Sequence, residues 1–310
     1  MGWLFDNLIG QMPGPDFLVI YAIFAVVVLV VAFLFIARLD VTGDRPPPAI
    51  PPVVDPYELA YLRGGINEIV RTAVYALRQQ GLVEITEKTR IRATGFSAQQ
   101  LNAIERAVLA TIAPAPRIAA LFGDKNLRNN LERLCEGYQR RLSAEQLLTP
   151  PEVRGAARLT MLVAGALLIA LAAYKIAAAA MHGRSNIGFL CIEATVAFVV
   201  MIWMFQRVNA SHASKRGKDY LAKVQLAYSG HLGAVRGAAA RSIPGGAAIG
   251  GSALLMVGLF GFAILKDTPD AALAKAFAQS SGAGGDGGGS CGGGDGGGGG
   301  CGGCGGGGGD

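Results

Sequence analysis

Long apolar runs alternate with polar stretches along this 310-residue chain. Four runs have about the twenty residues that an α-helix needs to cross a bilayer, and they cover residues 17–37, 159–181, 187–205 and 246–265. The first run has neither the basic flank nor the cleavage site of a secretory signal, so we interpret it as an uncleaved helix. The pattern therefore predicts a mainly α-helical, multi-span membrane protein.

The stretch of residues 55–94 has the pattern of two helices followed by two short strands. Asp55 and Pro56 favour a helix start, apolar residues recur at helical spacing over residues 66–77, and Gly81 favours a helix end. Alternating apolar and polar residues then predict a strand on each side of a polar turn. This order of helix, helix and hairpin is that of a winged helix, a small α+β unit.

Two further helices are predicted after the hairpin. One ends near Ile112 and is capped by Ser97 or Thr94, and the other covers residues 127–142. We therefore expect residues 55–150 to bury one small core.

Basic residues set the expected orientation in the membrane. Arg38 and Arg45 follow the first apolar run, and residues 206–242 hold seven Lys or Arg against one acid. Basic loops stay in the cytoplasm, so we expect the predicted module and this loop inside, and residues 1–16 and the C-terminal tail outside.

The Pro-rich linker of residues 38–54 is expected to extend as a spacer that does not pack against the module.

The basic loop contains an amphipathic helix. Tyr220, Leu221, Val224 and Tyr228 share one helical face within residues 206–242. A basic amphipathic helix beside a membrane is expected to lie on anionic lipid.

Several segments resemble an uncharacterised family of bacterial membrane proteins. They are DPYELAYLRGG at residues 55–65, A-L-x-x-x-G-L-V-E-I at residues 76–85, LNAIERAVLATI at residues 101–112 and KRGKDYLAKV at residues 215–224. The resemblance implies a winged-helix-like cytoplasmic module, several membrane helices and a Gly/Cys-rich C-terminus, in a bacterial inner membrane. It implies no activity and no catalytic residues.

Nucleic-acid binding is one alternative function. The second predicted helix of the module offers side chains that can read bases, namely Asn67, Arg71, Arg78 and Gln79, but also Glu68. Residues 38–154 hold 16 Lys or Arg against 13 Asp or Glu, a net charge of +3. DNA-binding modules need a denser basic face, because phosphate neutralisation supplies most of their affinity. We therefore expect the module to contact protein.

Two ionisable residues lie inside the predicted spans, Lys175 and Glu193. A short connection at residues 182–186 makes their spans antiparallel, so both residues are expected at similar depth. A charge in hydrocarbon normally finds a partner, and an interhelical salt bridge is the favoured interpretation. A proton or cation relay in a small transporter is the alternative, and snorkelling of Lys175 to the outer interface is a third.

The tail at residues 281–310 is mostly glycine and is expected to be disordered. Its three cysteines, Cys291, Cys301 and Cys304, are one ligand short of a zinc site, and the context of a thioredoxin-like redox pair is missing. Outside the cell we expect Cys301 to close on Cys304 and Cys291 to form a disulfide-linked homodimer. If the run at residues 246–265 only dips into the bilayer, the tail is cytoplasmic.

Catalytic signals are absent from the sequence. His182, His212 and His231 have no acid or serine at catalytic spacing, and there is no phosphate-binding or dinucleotide-binding motif. Cys135 and Cys191 fall in predicted helices and are expected in the core. We expect no enzyme and no cofactor, but a membrane-anchored interaction or scaffold protein. The alternatives are a membrane-tethered DNA-binding regulator and the small transporter.

Overall fold

The computed structural model describes residues 14–86, 90–94, 101–113, 115–181, 188–210, 212–230, 247–265 and 270–281. Within these ranges the protein is mainly helical. In chain order the helices are α1 (Gly14–Leu39), α2 (Pro56–Gly64), α3 (Ile66–Gln79), α4 (Ala103–Ile112), α5 (Ile118–Gly123), α6 (Lys125–Leu134), α7 (Glu136–Ala144), α8 (Pro151–Met181), α9 (Gly188–Ala210), α10 (Lys215–Ser229), α11 (Ala247–Phe260) and α12 (Ala271–Ser281). A hairpin of β1 (Val83–Thr86) and β2 (Arg90–Ala93) follows α3.

Helices α1, α8 and α9 pack against one another as a bundle. Small residues lie in its interior beside the large side chains of Phe17 and Tyr21, and a Cβ atom added at Gly165 would lie 2.5 Å from the sulfur of Met201. The outer surface carries large exposed apolar side chains, among them Val26, Phe33, Leu162, Phe189 and Trp203. Close packing of small residues inside and exposed apolar side chains outside suit helices that face lipid.

Two helices of the bundle, α1 and α8, are long and apolar enough to cross a membrane. Only 17 % of the apolar window of α1 and 33 % of that of α8 is buried within the protein, so neither is enclosed like the core helix of a globular protein. The apolar stretch of α9 is shorter, at Ile192–Gln206.

The elements of residues 55–94 lie in the predicted order. The Asp55 side chain accepts a hydrogen bond from the backbone N–H of Tyr57 at 2.8 Å, which caps α2. Gly81 has a φ of +72° and ends the segment after α3, where a side chain would be strained. The strands pair antiparallel, with Val83 opposite Ala93.

The start of α4 differs from the prediction. Asn102, and not Ser97 or Thr94, caps this helix, since its side chain accepts from the backbone N–H of Glu105 at 2.8 Å and the Glu105 carboxylate accepts from the Asn102 backbone. Thr94 instead donates its hydroxyl to the carbonyl of Gly81, and Ser97 lies outside the described residues.

The single helix predicted over residues 127–142 is two helices, α6 and α7. They meet at Cys135, which is fully buried. Burial raises the pKa of the Cys135 thiol to about 12, so this cysteine is an unreactive core residue.

The run at residues 246–265 lies in the globular core and not in the bundle, where the prediction of a fourth span put it. Helix α11 packs on α2 and α3, and Val257, Leu259 and Leu265 are buried in the core that those helices form. Gly258 permits this approach, because a Cβ atom there would lie 2.4 Å from the carbonyl oxygen of Pro56. Arg63 Nη1 also donates to the carbonyl of Val257 at 3.0 Å.

Helix α10 and the Pro-rich linker also pack differently from the prediction. The apolar face of α10 is buried in the same core, through Tyr220, Leu221 and Val224, so it is not free to lie on lipid. The linker is held against α10, since Arg216 Nε donates to the carbonyl of Pro46 at 3.0 Å and Arg216 Nη1 to the carbonyl of Glu145 at 2.9 Å.

The globular domain, which we define as α2–α7, the hairpin and α10–α12, is therefore discontinuous in sequence. The chain leaves it at Thr149 for α8 and α9 and returns at His212. The outgoing and returning segments are hydrogen-bonded to each other. The Thr149 N–H donates to the His212 carbonyl at 3.0 Å, and the Ser214 N–H donates to the Leu147 carbonyl at 2.9 Å. Helices α8 and α9 are thus joined to the domain by two hydrogen-bonded segments, and the linker that follows α1 is a third connection.

Candidate functional site

Helix α3, the candidate base-reading helix, uses its charged side chains inside the protein. Glu68 forms ion pairs with both Arg63 and Arg71. Burial alone raises the pKa of Glu68, but the two guanidinium charges outweigh it and lower the pKa overall. The carboxylate is therefore ionised and holds α2 to α3.

Two further polar residues of α3 hold α12. Arg78 Nε lies 2.7 Å from one carboxylate oxygen of Asp270, and Gln79 Nε2 lies 2.9 Å from the other. Asp270 directly precedes α12, so these bonds fix the start of that helix. The Arg71 guanidinium also lies 5.4 Å from the ring centroid of Phe122 on α5.

Asn67 lies at the rim of a groove between α3, α5 and α6. The groove is lined mainly by apolar side chains, and its enclosed space is only about 10 Å³. Small-molecule sites usually occupy about 300–1,000 Å³. This groove is too small for such a site.

His212 stands at the junction between the bundle and the globular domain. Its ring packs edge-on against Tyr61, with 5.0 Å between centroids. Burial, and then the charge of Arg154, lower the pKa of His212 to about 4. Its Nε2 atom is buried without a hydrogen-bond partner in the part of the chain that the structure describes. His212 is thus neutral near pH 7, and protonation would oppose the packing of this junction.

Two tyrosines, the buried Tyr57 and the half-buried Tyr138, connect α2 and the residue before it to later helices. Tyr57 donates to a Glu105 carboxylate oxygen at 2.7 Å, and Tyr138 donates to Asp55 at 2.6 Å. Burial, and then the Glu105 charge, raise the pKa of Tyr57 far above its usual range. These hydroxyls remain protonated donors, which suits a structural role.

Exposed arginines lie on the outer face of the hairpin. Arg90 and Arg92 alternate with the buried Ile91 on β2. Arg117 is bridged to Arg90 through the backbone, and Ile91 N–H donates to the carbonyl of Pro116 at 3.1 Å. We call Arg90, Arg92 and Arg117 the arginine surface. The alternation of Arg90, Ile91 and Arg92 in the sequence indicates that the two arginines share an exposed face. Only the fold shows that Arg117 belongs to the same surface.

The bundle contains a buried ammonium group. Lys175 on α8 is only 6 % exposed, and its Nζ lies 4.7 Å from the ring centroid of Phe17 on α1. Oε2 of Glu193 on α9 is buried without a hydrogen-bond partner among the described residues. The structure thus shows a contact of Lys175 with Phe17. The pairing of Lys175 with Glu193 stays a prediction.

The predicted metal or disulfide residues of the tail, Cys291, Cys301 and Cys304, lie outside the described residues. Within the described ranges there is no group of three or more His, Cys, Asp or Glu residues that could hold a metal ion. Cys191 lies in α9.

Comparison with known proteins gives no significant match, whether to a family model, a curated protein sequence or a solved structure. The function must therefore be argued from the geometry of this chain alone.

Proposed function

We propose that this protein is a membrane-anchored interaction protein, in which a winged-helix-like domain binds a protein partner at the cytoplasmic face. The observation that supports this proposal is that some arginines of the domain form ion pairs inside it while others are exposed on its surface. Those of α2 and α3 are engaged inside the domain, whereas the arginine surface is exposed. The resemblance to the uncharacterised bacterial membrane family agrees with this proposal.

The enclosure of α3 is the reason for preferring protein to DNA. A recognition helix inserts one free face into the major groove. Here α3 contacts α2, α4 and α11, and most of its residues are buried: Ile69, Val70, Thr72, Ala73, Val74, Tyr75, Ala76 and Leu77. We therefore do not propose base reading by this helix.

We further propose three membrane spans, α1, α8 and α9, with the globular domain in the cytoplasm. Arg38 and Arg158 stand at the domain-side ends of α1 and α8, as the positive-inside rule requires of a cytoplasmic side. Because α11 and α12 pack in the domain, the tail leaves on that same side. We therefore propose that Cys291, Cys301 and Cys304 are cytoplasmic and reduced, in place of the extracellular homodimer expected from the sequence.

Site-specific photo-crosslinking in intact cells tests the proposed function. A photoreactive residue is placed in the full chain at Arg92 on the hairpin, at Arg133 on α6 or at Lys218 on α10, all exposed positions. We expect a discrete protein adduct from at least one of them. Phe189, 66 % exposed on α9, serves as the lipid-facing control and should give none. Absence of any protein adduct from all three domain positions would refute the proposal.

A further inference from the structure

We infer that the arginine surface is a docking site for an acidic segment of a partner protein. This inference deepens the proposed function and rests on it. It names the surface of the domain that makes the contact and the chemistry of what binds there.

The backbone geometry brings the three arginines together. Arg90 and Arg92 lie on the same face of β2, roughly 7 Å apart, because side chains alternate along a strand. Arg117 bridges Arg90 as an added strand would, and adjacent strands are about 4.8 Å apart. Three guanidinium groups therefore fall within the span of one short extended peptide.

The positive charge of this surface is not neutralised by the described residues. Arg92 and Arg117 form no ion pair with them, and Arg90 makes only a 3.5 Å bond to the carbonyl of Ala115. Glu84 lies opposite Arg92 on β1 and offsets one of these three positive charges. Like charges on neighbouring strands repel each other. An external acidic group would relieve that repulsion.

The hairpin lies apart from the junction between the domain and the bundle. A Cβ atom added at Gly65, just before α3, would lie 3.4 Å from the ring of His212 at the junction with the bundle. The hairpin follows the other end of α3. The 14 residues of α3 span roughly 21 Å. The arginine surface therefore lies about one helix length from that junction.

The size of the surface argues for carboxylates and against a nucleic acid. Proteins that hold DNA at physiological salt usually make about 6–10 phosphate contacts, twice or more what three arginines supply. Arginine binds a carboxylate through two parallel hydrogen bonds, which suits a short run of Asp or Glu. Each exposed pair is weak. Confinement of both partners to one membrane raises their effective concentration, so a weak site suffices.

Direct binding of a fluorescein-labelled octaglutamate peptide tests the inference. The full chain in phosphatidylcholine nanodiscs is titrated at low salt and followed by fluorescence anisotropy. We expect the triple variant R90S/R92S/R117S to bind at least about tenfold more weakly. A matched triple variant on α6 and α7, R128S/R133S/R140S, changes the net charge equally at exposed positions and should lose less than about twofold. Unfolding temperatures of both variants check that the fold is intact.

Three outcomes overturn the inference. Equal loss in both triple variants would mean non-specific attraction, and unchanged binding in the first would mean that the surface is not used. Tighter binding of a 20-base-pair DNA duplex at the same salt, lost in R90S/R92S/R117S, would make it a nucleic-acid site. If this assay fails while photo-crosslinks form at α6 or α10, the proposed function stands and only this surface is wrong.

Discussion

Glu68 is the residue on which the packing of α2 against α3 most depends. It is the one acid that contacts both Arg63 and Arg71, and all three side chains are less than 20 % exposed. Removing its charge takes away the carboxylate with which both of these largely buried guanidinium groups pair.

We expect Glu68→Gln to lower the free energy of unfolding by about 2–3 kcal/mol. Glu136 is the matched control, because its ion pair with Arg140 is exposed to solvent, and Glu136→Gln should cost less than about 0.5 kcal/mol. Chemical unfolding of the purified protein in detergent measures both. Equal effects of the two substitutions would contradict a special role for Glu68.

His212 makes stability depend on pH. Its folded pKa of about 4 lies below the ordinary value of 6.5, so the unfolded chain binds more protons between these values. The folded state is therefore fully favoured above pH 6.5 and loses stability as the pH falls towards 4. Allowing for partial exposure, we expect a loss of about 2 kcal/mol between pH 7 and pH 4.5.

Replacing His212 with Gln removes this titration and keeps a polar side chain. The pH dependence of the unfolding temperature should then be shallower in His212→Gln than in the wild type below pH 6.5, while both curves run parallel above it. Identical curves over the whole range would show that His212 is not buried as a neutral group.

At the scale of elements, the tight approach of α11 to α2 depends on a single glycine. A Cβ atom at Gly258 would meet backbone atoms of Pro56, which cannot move aside as a flexible side chain could. We expect Gly258→Ala to destabilise the domain by about 1–3 kcal/mol through overpacking.

Gly137 on α7 provides the matched control, because nothing lies within 4 Å of its added Cβ. There the same substitution should stabilise the helix by up to about 1 kcal/mol. Thermal unfolding of the two variants should therefore shift in opposite directions, and a neutral Gly258→Ala would contradict the packing of α11 in the core.

Helices α1 and α8 are joined by the contact between Lys175 and Phe17. A desolvated ammonium over an aromatic ring stabilises by up to about 2 kcal/mol. In a double-mutant cycle on Phe17→Leu and Lys175→Met we expect a coupling energy of about 1 kcal/mol, read from thermal unfolding in detergent.

The exposed Phe189 is the control, since Phe189→Leu and Lys175→Met should be additive. Additivity in the Phe17 cycle as well would mean that the contact contributes nothing. The same assay on Lys175→Met and Glu193→Gln tests the predicted ion pair.

Sequence patterns predicted local elements better than their partners. Asp55, Gly81 and the alternation of the strands act on their immediate neighbours, so α2, α3 and the hairpin were predictable. Hydropathy shows that residues 246–265 prefer an apolar environment, but a lipid bilayer and a protein core both provide one. The same ambiguity misplaced the apolar face of α10. The ion pair between Arg78 and Asp270 joins residues that are 192 positions apart, which no local pattern shows.

At the scale of the whole molecule, the proposed topology puts the tail on the same side of the membrane as the domain, because α11 packs in the domain. Thiol labelling in intact cells tests this, with single cysteines at Ser185, between α8 and α9, and at Ser229, exposed at the end of α10. Ser214 is unsuitable because it is fully buried. We expect an impermeant reagent to label Ser185→Cys directly, and Ser229→Cys and the natural tail cysteines only after permeabilisation. Labelling of the tail in intact cells would restore a fourth span.

The return of the chain to one core after α8 and α9 has a consequence for biosynthesis. Leu62 and Leu273 share that core, yet they are separated by roughly 210 residues, which a ribosome takes about 10–40 s to add. During this time the apolar faces of α2 and α3 await partners that have not been made. A nascent chain stalled before residue 247 would therefore hold an inserted bundle beside an unfinished domain, and quality-control proteases should remove it.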